Sequence, residues 1–466
     1  MPINIFTDYP LSWRPDRSRL KRPYYQSLVE QMKGAIESGH LLPDTKLPPQ
    51  RELADFLDIG FATVTRAYKL SQQRGLTYGV VGRGTYVAKN LKFMQTISRN
   101  NAHNIRELGF NASFEANNYL IRSTVEEVSS QTNLVELLNY DEPIGLAKHR
   151  LIASRYMDQI GMTMNKENTM IVSGGQNALS IILLSLFNSG DKIAVDKFTY
   201  ANFIELARLR GIELIPINDD SEGMSAVDLE QQCRLKNIKG IYLMPDYGNP
   251  TTITISEQRR QLLAQLIQRY KLILIEDDYL NFLNLYRQTP LTKMSNLVPE
   301  QSIYVCSMSK SLISGLRVGF IRTANQFRHS IENAIFNVNV KTSALDAAIV
   351  TRALQNGVAS KIMQQKLNAV TKVNAIFDQI FDNQPTVNDY HFFRAVPVNS
   401  QFSGNQIEQT LLQNGIRVFH SDKFLVGSAD RTAFLRVSLT SLDNGDELAD
   451  TLIDLKAILI QNQFLI

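Results

Sequence analysis

Residues 307–312 read Ser-Met-Ser-Lys-Ser-Leu, and Arg317 follows seven residues after the lysine, Lys310. A lysine between small hydroxyl residues, with an arginine one or two helical turns later, suits a cofactor that carries both an aldehyde and a phosphate. Lys310 can form a Schiff base with the aldehyde, while Ser307, Ser309 and Arg317 hold the phosphate. Pyridoxal 5'-phosphate (PLP) is the cofactor that this pattern indicates. The motif alone more often marks an ordinary surface lysine near a strand end, so its meaning depends on the sequence around it.

From about residue 130 onward, short apolar runs rich in β-branched residues alternate with longer helical stretches. The runs are bounded by Asp, Gly and Pro, and they read KIAVD, IELIPI, GIYLMP, KLILIEDD and SIYVCSMS. Stretches such as TYANFIELARLRG and SEQRRQLLAQLIQRY lie between them and have the pattern of helices. This alternation predicts an α/β fold with a mostly parallel sheet, whose ligands collect at the strand ends.

Two earlier strand ends carry candidate ligand contacts. Gly174 and Gly175 stand at the start of an apolar helix, where free backbone N–H groups and the helix dipole favour a phosphate. Tyr200 follows KIAVD and can stack on a planar ring. By themselves, a glycine-rich turn is more often a plain loop and a tyrosine is more often part of the core.

The next two strand ends carry an amide and a carboxylate. Asn249 follows GIYLM in the loop PDYGNPT, and its side-chain amide can donate to a phenolic oxygen. The run LILIEDDYL ends in Glu276-Asp277-Asp278-Tyr279, where a carboxylate beneath a pyridine nitrogen keeps that nitrogen protonated. Acidic strand ends also suit Mg²⁺, but no second ligand cluster accompanies this one, so we expect no metal site.

Together and in this order, the five motifs resemble the fold-type I PLP-dependent aminotransferases over roughly residues 115–466. The resemblance implies a role for each motif residue: Lys310 as the internal aldimine, Asp277 at the pyridinium nitrogen, Asn249 and Tyr279 near the ring O3', Tyr200 stacked on the ring, and Gly175, Gln176, Ser307 and Arg317 around the phosphate. Arg436, in the run FLRVS, matches the strand arginine that binds a substrate carboxylate in this family. The sequence departs from the family pattern at Gly175, which replaces a common hydroxyl residue, and at Phe198, which replaces the usual proline.

The first ninety residues have a different organisation. Apolar residues recur at helical spacing from Tyr24 to Ser38, and two short helices, QRELADFLD and ATVTRAYKLSQQRG, flank a break at Ile59-Gly60. Two β-rich runs then surround Gly82-Arg83-Gly84 and predict a hairpin with a basic tip. Residues 1–90 hold 13 Lys and Arg against 8 Asp and Glu, a net charge of +5, whereas the whole chain has +4. Any basic surface for a partner is therefore expected at the N-terminus.

Three linked motifs, KLPPQRELA, TVTRAY and GRGTYV, resemble the winged helix of the GntR family of bacterial repressors over about residues 20–88. The resemblance places the candidate DNA contacts on or beside the recognition helix and in the wing: Arg51, Thr63, Thr65, Arg66 and Arg83. The alternative without a DNA-binding role is a solvated basic face on a small helical domain. Many family members carry a Ser-Arg pair where this chain has Gly60-Phe61, so Phe61 contacts either thymine methyl groups or the core.

Length and composition agree with a soluble protein of two or three domains. The chain has 466 residues and two cysteines, Cys233 and Cys306, which are far apart and form neither a disulfide framework nor a metal motif. No apolar run reaches the length of a membrane-spanning helix, and the start of the chain lacks a signal-peptide core. We therefore expect a cytoplasmic protein that has no membrane association.

The expected organisation is a winged helix-turn-helix domain at 1–88, a linker at 89–115 whose end packs on the next domain, and an aminotransferase-like domain at 116–466, with the small subdomain at about 340–466. Such a fusion resembles the MocR subfamily of transcriptional regulators. The resemblance implies a homodimer, head-to-tail, that binds double-stranded operator DNA and senses PLP, or an amino acid or amine, through aldimine chemistry at Lys310. The alternative is an active PLP-dependent aminotransferase with an attached DNA-binding domain. A third interpretation is a large domain that has lost PLP and only dimerises.

Overall fold

The computed structural model describes residues 12–37, 41–42, 45–74, 76–80, 83–88, 97, 105–383, 390–427, 432–442 and 444–466. It divides into two compact units, Met1–Thr96 and Ile97–Ile466. Most of the expected linker, residues 89–96 and 98–104, lies outside the described residues.

The first unit contains three helices and a hairpin: α1 (Tyr24–Glu37), α2 (Gln50–Leu57), α3 (Phe61–Gln73), β1 (Thr77–Val80) and β2 (Gly84–Val87). The two strands are antiparallel, with Thr77 opposite Val87 and Val80 opposite Gly84. Arg83 lies in the turn between them and its N–H donates to the Val80 carbonyl at 3.0 Å. These elements confirm the predicted winged helix-turn-helix.

Apolar residues at helical spacing form the core of this unit. Leu28, Val29 and Met32 of α1 pack against Leu53 of α2 and Val64 of α3, and all five side chains are fully buried. The turn after α2 begins at Asp58, which adopts a left-handed conformation. Its backbone N–H donates to carbonyl groups in the last turn of the helix. A buried hydrogen bond of 2.6 Å from the Tyr68 hydroxyl of α3 to the Pro48 carbonyl holds the segment that precedes α2 against α3.

The second unit is an α/β structure. Its elements are, in chain order, β3 (Arg106–Glu107), α4 (Arg122–Ser129), α5 (Ala147–Gln159), β4 (Thr169–Val172), α6 (Gly175–Leu186), β5 (Lys192–Asp196), α7 (Ala201–Arg210), β6 (Glu213–Ile217), β7 (Asp219–Asp220), β8 (Gly223–Met224), α8 (Ala226–Leu235), β9 (Ile238–Leu243), α9 (Glu257–Tyr270), β10 (Ile273–Asp278), α10 (Met294–Leu297), β11 (Ser302–Ser307), α11 (Met308–Ser311), β12 (Gly319–Thr323), α12 (Asn325–Asn339), α13 (Ala344–Gln355), α14 (Val358–Phe381), β13 (Phe393–Pro397), α15 (Gly404–Gln413), β14 (Ile416–Arg417), β15 (Phe419–His420), β16 (Phe434–Ser438) and α16 (Gly445–Gln461).

A seven-stranded sheet with the order β4-β12-β11-β10-β9-β5-β6 organises this unit. Strand β12 is antiparallel to both of its neighbours, whereas the other pairs are parallel. The direction of winding reverses between β5 and β9, because β6 lies on one side of this pair and β10 on the other. In open α/β sheets, ligands bind outside the carboxyl ends of the strands at such a reversal.

The sheet is buried on both faces, which explains why its strands read as nearly continuous apolar runs. Ile275, Ile303 and Val305 belong to the apolar cluster on one face. Leu274 and Ile241 belong to the cluster on the other face, as expected from the alternation along a strand.

A smaller three-stranded sheet, β13-β16-β15, lies in the C-terminal part of the unit. The long helix α14 packs with α16 beside it, and apolar residues of both helices join one large cluster. Strand β3 pairs in parallel with β14, so the segment from residue 105 onward is part of this unit. No helix among the described residues has both the length and the apolar character needed to span a lipid bilayer.

Candidate functional site

Five of the predicted residues lie at the carboxyl ends of parallel strands in one sheet. Gly175 follows β4, Tyr200 follows β5, Asn249 follows β9, Asp277 is near the end of β10 and Lys310 follows β11. Because these ends meet at one edge of the sheet, residues from widely separated parts of the sequence form a single site.

The residues predicted around a phosphate contact one another. A Cβ atom at Gly174 would lie 2.7 Å from Nη2 of Arg317, and one at Gly175 would lie 3.3 Å from the Ser307 Cβ. Gly174 also has a φ of +87°, a conformation that favours glycine. Nη1 of Arg317 donates to Ser309 Oγ at 2.9 Å. A guanidinium, two serine side chains and the N-terminus of α6 are thereby grouped together.

Asp277 is a buried carboxylate whose Oδ2 accepts a 2.8 Å hydrogen bond from the Tyr242 hydroxyl. Burial raises the pKa of Asp277 to about 7, while the bond from Tyr242 opposes the rise. Tyr242 was not predicted from the sequence. Tyr242 of β9 lies opposite Ile275 of β10. Ile275 precedes Asp277 by two residues, so all three side chains lie on the same face of the sheet, and strand alternation could have identified Tyr242.

The two tyrosines predicted near the cofactor ring make different contacts. The Tyr200 hydroxyl donates to Gln176 Oε1 at 3.2 Å, which brings two of the predicted residues together. The Tyr279 hydroxyl donates to the Tyr247 carbonyl at 2.8 Å. Burial raises the pKa of Tyr200 to about 12 and also raises the pKa of Tyr279 well above its ordinary value, so both phenols are protonated donors at neutral pH.

Lys310 is held by backbone oxygen atoms. Its Nζ donates to the Asn111 carbonyl and, at 3.1 Å, to the Ala112 carbonyl. Burial lowers the pKa of Lys310 to about 7, and the charges of Arg436 and Arg317 contribute to the decrease. A substantial fraction of this amine is therefore neutral, and nucleophilic, near neutral pH.

Arg436 is almost fully buried, with 2% of its surface exposed. Nη1 donates to Asn249 Oδ1 at 2.9 Å, and Nη2 donates to the Gly109 carbonyl. Its Nε has no hydrogen-bond partner within the described part of the chain. Burial lowers the pKa of Arg436 to about 10, so the group remains a cation with unused donor capacity.

Residues 109–113, which we call the cover segment, accept hydrogen bonds from both functional cations. Arg436 donates to the Gly109 carbonyl, whereas Lys310 donates to the carbonyls of Asn111 and Ala112. The sequence placed these residues in the expected linker. No sequence signal could have identified them, because backbone carbonyls are present at every residue.

Lys366 of α14 is a fully buried lysine beside Lys310 that sequence reasoning missed. Its Nζ donates to the carbonyls of Lys310, at 3.0 Å, and Leu312, at 2.6 Å, and to Ser113 Oγ at 3.1 Å. Burial lowers the pKa of Lys366 to about 7, and the charge of Lys310 contributes. A signal was available, because Lys366 interrupts the apolar stripe formed by Met363, Leu367 and Val370.

The acidic residues beside Asp277 have structural partners. Lys293 donates to Asp246 at 2.8 Å and to Asp278 at 2.6 Å. Glu276 accepts from the backbone N–H groups that begin α10. Within the described ranges, no group of three or more His, Cys, Asp or Glu side chains is placed to hold a metal ion.

The predicted DNA contacts lie on exposed parts of the first unit. Arg51 is in α2, Thr65 and Arg66 are on the exposed face of α3, Thr63 is half-buried in α3, and Arg83 is in the hairpin turn. The Arg66 guanidinium lies 4.2 Å from the centre of the Tyr25 ring, and Thr65 Oγ1 donates to Gln50 Oε1 at 2.8 Å.

Comparisons with known proteins agree with this division. The family model described as "Aminotransferase class I and II" matches residues 108–452, and "Bacterial regulatory proteins, gntR family" matches residues 24–87. The uncharacterized HTH-type transcriptional regulator YdeF of Bacillus subtilis (strain 168) is 30% identical over 98% of this chain and 99% of the relative. Aromatic-amino-acid aminotransferase 1 of Thermococcus litoralis is 28% identical over 50% of this chain and 57% of that protein.

Among solved structures, the kynurenine aminotransferase of Pyrococcus horikoshii matches with a TM-score of 0.70 and 20% identity, over 80% of this chain and 93% of that chain. This likeness shows that the large unit has the fold-type I aminotransferase fold. The chain therefore belongs to the aminotransferase class I and II family, whose members bind PLP, and its GntR helix-turn-helix domain makes it a MocR-like transcriptional regulator that binds DNA.

Proposed function

We propose that this protein regulates transcription by binding operator DNA through its winged helix and by sensing PLP, or an amino acid or amine that reacts with bound PLP, at Lys310. The observation that carries the proposal is a half-buried lysine, hydrogen-bonded to two backbone carbonyls and with a pKa of about 7, in the same chain as a helix-turn-helix. A neutral, half-buried amine is suited to react with an aldehyde, and the DNA-binding unit supplies an output.

The side chains of the site fit PLP. Gly174 leaves no room for a Cβ atom beside Arg317, so backbone N–H groups and a guanidinium can approach one phosphate together. Asp277 offers a buried carboxylate for a pyridinium nitrogen. Nε of Arg436 has no hydrogen-bond partner among the described residues, so it is a buried donor for which an incoming carboxylate is a suitable partner.

When bound, PLP supplies an aldehyde that condenses with a primary amine and a ring that withdraws electrons. Lys310 is the amine that the chain presents. Tyr242 keeps a hydrogen bond on Asp277 and so favours its ionised form at neutral pH. Arg436 and Asn249 are already paired at 2.9 Å, which orients the guanidinium for a carboxylate.

The cover segment is the part of the site whose hydrogen bonds would change when a ligand binds. A lysine nitrogen committed to a covalent bond has fewer N–H groups, so it cannot keep its bonds to both Asn111 and Ala112. A carboxylate bound to Arg436 would compete with the Gly109 carbonyl for the guanidinium. Both events act on a segment that lies within the C-terminal part of the expected linker. Differential ligand affinity for two arrangements of this segment is what a sensor requires.

A head-to-tail homodimer is part of the proposal. Four large apolar side chains between residues 119 and 140 support an interface on the second unit, because each has more than 60% of its surface exposed: Tyr119, Val135, Leu138 and Tyr140. Exposed apolar groups that are concentrated in one region mark contact sites between proteins.

The competing function is an aminotransferase with an attached DNA-binding domain. Lys310, Asp277 and Arg436 together favour it, because the resemblance to aminotransferases assigns them to the PLP aldehyde, the pyridinium nitrogen and a substrate carboxylate. Under our proposal, turnover is not required for signalling, and steady transamination is expected to be slow or absent.

The deciding experiment compares promoter binding and turnover with the same protein preparation. Purified protein reconstituted with PLP is expected to be yellow and to carry the cofactor on Lys310 after borohydride reduction. Its affinity for the DNA upstream of its own gene, or its DNase footprint, should change with PLP or with one of a panel of amino acids and amines. Rapid multiple-turnover transamination, with DNA binding insensitive to every ligand, would favour the enzyme instead.

A further inference from the structure

The aromatic ring at the start of α3 lies on the surface. The sequence allows Phe61 to lie either in the core or at the DNA, and the structure leaves 48% of its surface exposed. Phe61 is not part of the apolar cluster that holds the first unit together. The Phe61 ring is therefore available to contact a partner, and its position at the start of the second helix of the helix-turn-helix indicates that this partner is DNA.

Helix α3 has two distinct faces. Its buried face consists of Val64, Ala67, Tyr68 and Ser71. Its exposed face consists of Phe61, Ala62, Thr65, Arg66 and Lys69, which recur at helical spacing along one side. In a helix-turn-helix, the residues at the N-terminal end of the second helix contact base edges in the major groove. Here that end begins with two apolar residues and the basic residues lie farther along.

The polar residues next to Phe61 on the exposed face of α3 contact other residues of the first unit. Thr65 Oγ1 donates to Gln50 at 2.8 Å, and Arg66 stacks over Tyr25. Arg51 of α2 lies over the Phe61 ring, with its guanidinium carbon 5.7 Å from the ring centre. Arg51 thereby supports the ring from the side of α2 and brings a positive charge close to it.

We propose that Phe61, supported by Arg51, is a specificity-determining residue that contacts thymine 5-methyl groups in the major groove of the operator. The inference rests on the proposed DNA-binding function and deepens it. A phenylalanine ring has no hydrogen-bond donor or acceptor for a base edge, and the thymine methyl is the apolar group that the major groove offers. The operator is therefore expected to place a thymine under the start of α3.

The test uses the full-length protein and the DNA upstream of its own gene, prepared with either thymine or deoxyuridine. Deoxyuridine removes the 5-methyl group and keeps every hydrogen-bonding group of the base. The wild type should bind the thymine duplex more tightly, by about three- to fivefold for each methyl contact, which is the factor expected for burying one such group. Single thymine-to-uracil changes should assign the loss to one or two positions in each half-site.

Phe61→Ala should bind both duplexes with nearly equal affinity, whereas Phe61→Leu should keep part of the preference because it keeps an apolar side chain. Arg83→Ala is the matched control, since it lies in the hairpin turn and should weaken binding to both duplexes by the same factor. Because Phe61 is outside the core, Phe61→Ala should unfold at the same denaturant concentration as the wild type.

The outcomes separate this inference from the function on which it rests. Salt-sensitive binding that is equal for thymine and uracil duplexes would refute the role of Phe61 and leave DNA binding intact. A full thymine preference in Phe61→Ala would do the same, because the preference would then arise from DNA shape or from another residue. Absence of any DNA binding by the wild type at low salt would overturn both.

Discussion

Lys366 and Lys310 are joined through the backbone, because the Lys366 Nζ donates a 3.0 Å hydrogen bond to the carbonyl oxygen of Lys310. The same nitrogen holds Leu312 and Ser113, so one buried amine fixes both the turn that carries Lys310 and the cover segment. Lys310 is expected to change its hydrogen-bond partners during ligand binding. Lys366 can meanwhile hold the turn that carries Lys310 and the cover segment in fixed positions relative to each other.

Replacing Lys366 by methionine should therefore weaken PLP binding as well as folding. The change removes the lysine donor from the carbonyls of Lys310 and Leu312, and we expect the free energy of unfolding to fall by about 1–3 kcal/mol. Denaturant titration measures this, and the PLP dissociation constant should rise at least severalfold. Lys361→Met, an exposed lysine on the same helix, should change neither quantity. Unchanged PLP affinity in Lys366→Met would show that the turn holds itself in place.

Covalent capture of PLP at Lys310 should depend on pH in a particular way. The pKa of this lysine is lowered from 10.5 to about 7, so the reactive neutral amine accumulates as pH rises through 7 and is nearly complete by about pH 8. The initial rate of borohydride-trapped labelling of Lys310, followed by mass spectrometry, should reach a plateau there. Labelling of fully exposed lysines should continue to rise toward pH 10. A Lys310 rate that follows the exposed lysines would contradict the lowered pKa.

Removal of the Tyr242 hydroxyl should shift the pH range of cofactor binding. The bond from Tyr242 counteracts the effect of burial on Asp277, so Tyr242→Phe should raise the pKa of that carboxyl above about 7. The carboxylate needed by a pyridinium nitrogen would then be less populated at neutral pH. We expect PLP affinity to drop at pH 7 and to recover near pH 9, as measured by absorbance titration.

The control for this change is Tyr304→Phe, which removes a buried hydroxyl that donates to Asp278 at 2.6 Å. It should reduce stability without moving the pH profile of PLP binding. A profile that moves equally in both variants would mean that the effect comes from general loosening of the strands and not from Asp277.

DNA binding should be dominated by phosphate contacts and should decrease steeply with salt. Arg66→Ala or Arg83→Ala should weaken binding to the upstream DNA by roughly 1–3 kcal/mol if the arginine contacts a base edge, and by less if it contacts only phosphate. Fluorescence anisotropy at several salt concentrations measures both the affinity and the slope. Undiminished binding by a variant that lacks residues 1–90 would place the DNA contacts in the second unit.

The response to ligands should depend on Arg436 only if the effector carries a carboxylate. Arg436→Ala removes the buried guanidinium that contacts Asn249 and the cover segment. The DNA-binding response to an amino acid should then be lost, whereas the response to PLP alone should remain. Retention of a full amino acid response in the variant would show that another group binds the carboxylate.

The sequence by itself determined the two-unit architecture and the residues at the ends of five strands. Those features depend on local patterns: apolar runs that end in Asp277 or before Asn249, glycines that open α6, and helical spacing on either side of Gly60. Each pattern lies within a short stretch and can be recognised without knowing what it packs against.

The tertiary structure alone decided which groups contact Lys310 and Arg436. The hydrogen bonds from Lys310 to the cover segment join residues nearly 200 positions apart, and those from Arg436 to Asn249 and Gly109 span 187 and 327 positions. Their acceptors are mostly backbone carbonyls, which carry no residue-specific signal. Whether Phe61 is buried or exposed likewise depends on the packing of α3 against its neighbours, because a phenylalanine is compatible with either environment.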